Sequence, residues 1–505
     1  MKYRHARSAP RRGSSAPRRG SSAPRGSRVT TRIVRVAATA VAAALALTVS
    51  SCSLESTASG DTVKVVIGYQ SKTINTVTAG TLLKAKGFLE QRLDALSKNG
   101  GTKYQVEWQD YDTGAPITAQ MVAEKIDIGS MGDYPLLING SRTQANERSQ
   151  TELVSITGYN PKGALNMVVV APNSPAQSIK DLAGQKVSAS VGSAGHGTLV
   201  QALTRAGIDP KSGVEVLNQQ PQIGSSALES GQVAALSQFV AWPGLLVFQN
   251  KAKLLYDGAE LNVPTFHGVV ARRDYAKQHP EVLNAFVQAQ LDATDFIHKQ
   301  PLEAAKIVAD NSGLAQEVVY LYNGPGGTSF DATLKPSLIS AFKDDVAYLK
   351  SIGDFADLDI DKFVDPTVLK QVYRDRGLNY DAESANAANP APLTGTDALT
   401  NQPVNNPALA SEIWFAGQDA TQAAADPTSL LRAIKQARAQ GKTVRVAYVP
   451  DAELGTRWFA DKALWVRDGE TYLPFTTSAA AQRYLAGHPS GVNVSYEQAV
   501  SEVRQ

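Results

Sequence analysis

"SIKDLAGQKVSASVGSAGHGTLVQALTRAGI", residues 178–208, decides the fold. Ser178 stands where a helix N-cap belongs, and the short helix after it gives way to a strand around Val187. Glycines 192, 195 and 197 then make a turn, and "TLVQALTRAGI" has helical spacing. Strand, glycine-rich turn and helix in that order form the repeating unit of an α/β protein. The same alternation runs outward in both directions. Upstream, "VKVVIGY", "YQVEW" and "LNMVVVAP" read as strands, residues 76–96 as one helix and residues 117–124 as a short one, while "KIDIGSMGDYPLLING" is a clipped strand running into a helix. Downstream, "GVEVL" and "VAALSQF" continue the pattern until helices dominate residues 280–377. These patterns predict an α/β fold with largely parallel strands.

The turn is also the best candidate site. Its glycines let backbone approach a ligand closely, and a helix beginning near His196 or Gly197 points unpaired N–H groups and a positive dipole end outward. Ser193 and Thr198 add hydroxyl donors. A nucleophile elbow needs glycine two residues before the serine; Val191 stands there, so His196 and Ser193 do not make a hydrolase. Gln70 and Ser71 follow the first strand, where open α/β sheets place ligands. Gly132, Asp133 and Tyr134 open a helix; Asp133 either caps it or, facing a cleft, selects a ligand carrying an amine. Tyr159 precedes a crossover. Gln238 and Trp242 lie in "SQFVAWP", where Trp242 offers a stacking face or ordinary core packing. His267, His279 and His298 are scattered, and no H-E-x-x-H, C-x-x-C or G-x-x-x-x-G-K-[ST] pattern occurs, which argues against an enzyme.

"GYQ", "EKIDIGSMGDYPLL", the opening stretch and "LESGQVAALSQFVAWP" fall in the order and spacing of a known group. From about residue 63 to 380 the chain resembles the solute-binding proteins of ABC importers for sulfonates, taurine, nitrate and thiamine-precursor pyrimidines. One departure is Ala234 and Ala235, where that family usually has an acidic step. The resemblance implies a two-lobe, type II periplasmic-binding-protein fold over residues 63–382. Lobe one would be about 63–166 plus 267–382, and lobe two about 167–266, with the ligand between them and hinge closure as the motion. It further implies a small anionic or zwitterionic ligand, no cofactor, no metal, and an ABC permease with a cytoplasmic ATPase as partner.

The start of the chain reads as an export signal, residues 1–51. "SAPRRGS" occurs at Ser8 and Ser15 and, shortened, at Ser22, making a basic low-complexity arm. Residues 36–49, "VAATAVAAALALTV", carry no charge and are too short to span a bilayer. "VSSC" resembles the lipobox of bacterial lipoproteins, which implies that Cys52, the single cysteine of 505 residues, becomes a lipidated N-terminus on a tether of residues 52–62. Two acyl chains, at about 0.8 kcal/mol per buried CH₂, anchor stably. The expected location is extracytoplasmic, on the cell membrane. A formal net charge of +3 that includes this arm implies no nucleic-acid footprint.

Residues 383–410, rich in Asn, Pro and Ala, read as a flexible linker, and residues 411–505 as a small α+β domain. Within it "KALWVRDGETYLPF" predicts a hairpin about Asp468 and Gly469, and Ser478 a helix N-cap. This domain weakly resembles the C-terminal part of nitrous-oxide-reductase accessory lipoproteins, although Met1, Met121, Met131 and Met167 are the only methionines and no cysteine follows Cys52. Three other functions stay open: an accessory lipoprotein for metal or enzyme assembly working through this tail, a pyrimidine-precursor binder, and a pyrimidine-synthesising enzyme on the same fold. Export argues against the last of these.

Overall fold

The computed structural model describes residues 62–504; the basic arm, the apolar run and Cys52 lie outside them. β1 (Thr62–Tyr69), β2 (Lys103–Asp110), β3 (Ile128–Gly132) and β4 (Thr151–Asn160) begin the first sheet. β5 (Asn166–Val170), β6 (Lys186–Ala189), β7 (Glu215–Asn218), β8 (Ala235–Phe239) and β9 (Lys253–Asp257) make a second sheet, and β10 (Thr265–Arg272) returns to the first. The strand orders are β2-β1-β3-β10-β4 and β7-β6-β8-β5-β9, one topology used twice. This is the two-lobe α/β arrangement expected. β3, β5 and β8 are buried at every position, because helices cover both faces of each sheet.

The strands are less parallel than expected. β1 runs parallel to β2 and β3, but β10 is antiparallel to β3 and β4. Likewise β6 is parallel to β7 and β8, while β5 is antiparallel to β8 and β9. The crossovers are the reason: within each lobe, one strand arrives from the other lobe and its neighbour leaves towards it, so the two must run in opposite directions. The helix expected over residues 76–96 is broken at Gly80 and Gly87 into a 3-10 turn (Ile74–Ala79) and two helices (Thr81–Lys86 and Phe88–Gly100).

The C-terminal domain has two antiparallel sheets. One contains β11 (Ser411–Phe415), β12 (Thr421–Ala424), β13 (Val444–Pro450) and β14 (Arg457–Phe459); the other contains β15 (Leu464–Asp468), β16 (Thr471–Phe475) and β17 (Val492–Val494). The β15–β16 hairpin turns at Asp468 as expected, whereas Thr477 rather than Ser478 caps the following helix. Alternation along β11 and β13 places their two faces in different cores. Ile413, Phe415, Ala447 and Val449 pack on the domain's own helix through Leu430, Leu431 and Ile434, while Trp414, Val446 and Tyr448 join the core of the lobes.

Residues 383–410 are not a flexible linker. The buried Lys335 ammonium, paired with Asp331 at 2.6 Å, also donates to the carbonyls of Glu383 and Asn386 at 2.8 Å. Leu393, Val404 and Ala410 pack with Ala423, and Asn386, Asn389 and Asn406 each accept a backbone N–H two residues on. The domain touches both lobes. Tyr320 Oη donates to Glu412 at 2.8 Å, Phe459 lies 5.3 Å from Phe248, and Arg483 pairs with Glu260 at 3.4 Å.

At this junction Glu412 and Arg457, both buried, pair at 2.6 Å. Glu412→Ala leaves the Arg457 cation buried and unpaired, so chemical denaturation should show a loss of about 3–5 kcal/mol. The double change Glu412→Leu with Arg457→Met should recover most of it.

Candidate functional site

Ser193 terminates the turn after β6, and its Oγ accepts the N–H of His196 at 3.2 Å. The helix therefore spans Ala194–Arg205 and starts at Ala194, not at His196 or Gly197. Its first turn meets the end of β3 from the other lobe. Between them lies a cavity of about 10 Å³, room for one water molecule, lined by Gln70, Thr73, Gly114, Gly132, Pro135, Ser193, Ala194, Phe239 and His267. Both lobes contribute, and no lining side chain is charged.

Three predicted residues meet there: Gln70, Gly132 and Ser193. The Gln70 amide donates to the Ser130 carbonyl at 3.0 Å, holding it against the strand end. His267 was not predicted. The Asn75 amide nitrogen donates to its Nδ1 at 2.7 Å, which leaves the proton on Nε2. Burial drives the ring's pKa down to about 3, so it serves as a neutral hydrogen-bond donor and not as a cation. β10 brings His267 alongside Gly132 from 135 positions away in the chain, and no local pattern announces such a pairing.

The other predicted residues lie elsewhere. Ser71 gives its N–H to Asp110, Tyr159 is buried beneath the Lys335 ammonium, and the Gln238 amide donates to Ser190 Oγ at 3.1 Å. Thr198 is buried beside the turn, outside the cavity lining. Trp242 is packed into the seam between the lobes with Lys72 at 5.7 Å over its ring, and Phe239 supplies the cavity's aromatic wall instead. Asp133 faces away. Gly132 is the N-cap of its helix, and the Asp133 carboxylate accepts from Thr265 Oγ1 at 2.5 Å and from the Phe266 N–H. Burial raises its pKa to about 6.

Two of the glycines serve packing. A Cβ on Gly195 would stand 2.6 Å from the backbone of Gln238, so this residue seats the helix on β8 and does not face a ligand. A Cβ on Gly197 would stand 2.4 Å from the ring of Tyr134, so this one lets the lobes touch. His196 sits beside that contact. Its Nδ1 lies 2.6 Å from Tyr348 Oη and accepts from the Gly192 N–H, and burial lowers its pKa to about 4, which excludes it as a charged anion partner. On its other side His196 borders an outer groove of about 810 Å³ that includes Val191, Lys350 and Phe355.

Residues 137–304 match the family described as NMT1/THI5 like. The chain carries an NMT1/THI5-like domain. It is homologous to the taurine- and aliphatic-sulfonate-binding periplasmic proteins. The taurine-binding periplasmic protein of Escherichia coli K12 is 26% identical over 272 residues, 50% of this chain and 81% of the relative. A second K12 protein, designated aliphatic sulfonates-binding, is 25% identical over 51% of this chain and 74% of its own. Among solved structures, the alkanesulfonate-binding protein of Xanthomonas axonopodis pv. citri bound to MOPS superposes with a TM-score of 0.51. It is 21% identical and covers 60% of this chain and 99% of its own, which establishes the shared fold.

Two predictions follow from the seam. Gly197→Val should keep the lobes apart, seen as a larger radius of gyration that ligand does not reduce, whereas Gly195→Val should lower the folded fraction itself. Nearby, the buried Asp345 carboxyl accepts from Gln201 of the other lobe at 2.8 Å and from Tyr134 Oη at 3.3 Å. Burial first, then the nearby Asp133, pushes its pKa from 3.8 up to about 8. The folded state thus holds a proton that the unfolded state releases, and stability falls as pH rises from about 4 to about 8. Asp345→Asn should make that part of the melting temperature versus pH curve less steep, most clearly between about pH 6 and 8.

Proposed function

We propose that this protein is the extracytoplasmic capture subunit of an ABC importer for a small sulfonate, taurine, nitrate or a related organic anion or zwitterion. The observation that carries this reading is the capped N-terminal turn of helix Ala194–Arg205, opening on a cavity that both lobes line without a charged side chain. Such a turn offers backbone N–H groups and a positive dipole end. Ser193 and the Nε2–H of His267 add neutral donors. An anion held this way needs no lysine or arginine, and its affinity should be insensitive to the histidines above pH 5, since both rings stay neutral.

The names of the relatives support the same ligand class. A sulfonate group is larger than one water, so it enters only when the lobes part and is gripped when they close. Lipid attachment at Cys52 would hold the protein beside the permease, with import driven by ATP on the cytoplasmic side. Cys52→Ser should release the protein from membranes.

The test is a thermal-shift screen of taurine, alkanesulfonates, nitrate and pyrimidine precursors. At roughly a hundred times Kd a true ligand adds about 2.7 kcal/mol to stability. One of these compounds should raise the melting temperature in wild type, and Ser193→Ala should weaken its binding while costing about 1 kcal/mol of stability through the lost cap. A panel in which no anion or amine shifts the transition overturns the proposal.

A further inference from the structure

A larger cavity, about 370 Å³, lies where the C-terminal domain meets the first crossover between the lobes. Its size suits a small organic molecule. Three separate parts of the chain wall it: residues 160–164 of the crossover, residues 325–329 of lobe one, and residues 387–410 with β13 and β14. The surfaces are mostly apolar, with Leu393, Tyr448 and Leu454 prominent.

Its charge is one-sided. The lining includes Lys162 and Arg457 and no aspartate or glutamate. Lys162 forms no ion pair among the described residues; its ammonium donates only to the Leu454 carbonyl, at 3.2 Å. Arg457 is 8% exposed, with one terminal nitrogen on Glu412 and the other on the Pro325 carbonyl, while its Nε has no partner.

We propose that this cavity is a second ligand site, taking a small apolar acid whose body packs on Leu393, Tyr448 and Leu454 and whose anionic head lies toward Arg457 and Lys162. The site is separate from the interlobe cavity and shares no lining residue with it.

Phenylacetate is a suitable probe, titrated into the protein by calorimetry and saturation-transfer NMR, with 2-phenylethanol as its neutral counterpart. The expected result is saturable phenylacetate binding below about 10 mM and at least about tenfold weaker binding of the alcohol. Ala408→Trp, at an exposed position on the rim, should block the cavity without disturbing the fold, and Lys162→Gln should weaken phenylacetate about tenfold. Absence of saturable binding, equal affinity for the alcohol, or retention of binding in Ala408→Trp would each overturn the proposal. Because none of these readouts uses a sulfonate, failure here leaves the capture function of the interlobe cavity standing.

Discussion

The architecture depends on one steric constraint: the ring of Tyr134 lies where a side chain on Gly197 would have to be. Contact at that distance lets the first turn of helix Ala194–Arg205 reach the end of β3 in the opposite lobe. Everything chemical about the interlobe cavity follows. Ser193 and Ala194 bring the start of the helix to its wall, Gln70 and His267 contribute neutral polar groups fixed by Ser130 and Asn75, and Phe239 closes the apolar side. Charged groups are kept out of the lining, with Asp133 turned to Thr265 and both nearby histidines uncharged. A pocket built from preoriented dipoles can hold an anion without the desolvation cost of a buried lysine or arginine.

The C-terminal domain belongs to this architecture and is not a dangling module. Because β11 and β13 are buried on both faces, one face completes the domain's own core and the other extends the core of the lobes. The Tyr320, Glu412 and Arg457 cluster ties it to lobe one, while Phe248 and Glu260 tie it to lobe two. Any parting of the lobes therefore takes place with a third body attached to both. A function that works through the tail alone would have to operate on a surface this packing leaves free.

Part of the cavity lining was legible because open α/β sheets present ligands at the ends of their strands and helices begin beside them. That rule points to Gln70 and Ser71, of which Gln70 alone lines the cavity, while Gly132 and Ser193 are marked by a helix start and a glycine-rich turn. His267 and Phe239 escaped it, since a strand from the other end of the domain and a residue inside an apolar run carry no local mark of a pocket. Gly195 and Gly197 were read as ligand-facing, yet they are small because a strand backbone and a tyrosine ring press on them. Glycine reports that something comes close, not what it is. The segment of residues 383–410 misled for a related reason. Its asparagines and prolines are the residues that build tight, self-satisfied turns, and composition does not distinguish a chain of such turns packed on a surface from a free tether.

By itself, the sequence determined the α/β class, most of the succession of strands and helices, the glycine-rich turn and the division into two lobes and a tail. Those depend on periodicity and on caps within a few residues, which local sterics and hydrogen bonding enforce. Only the tertiary structure decided that half the strand pairings within the lobes are antiparallel, that the tail shares the core of the lobes, and which side chains line the cavity. Those outcomes rest on contacts between residues far apart in the chain, where packing of whole surfaces, and not local preference, selects the partner.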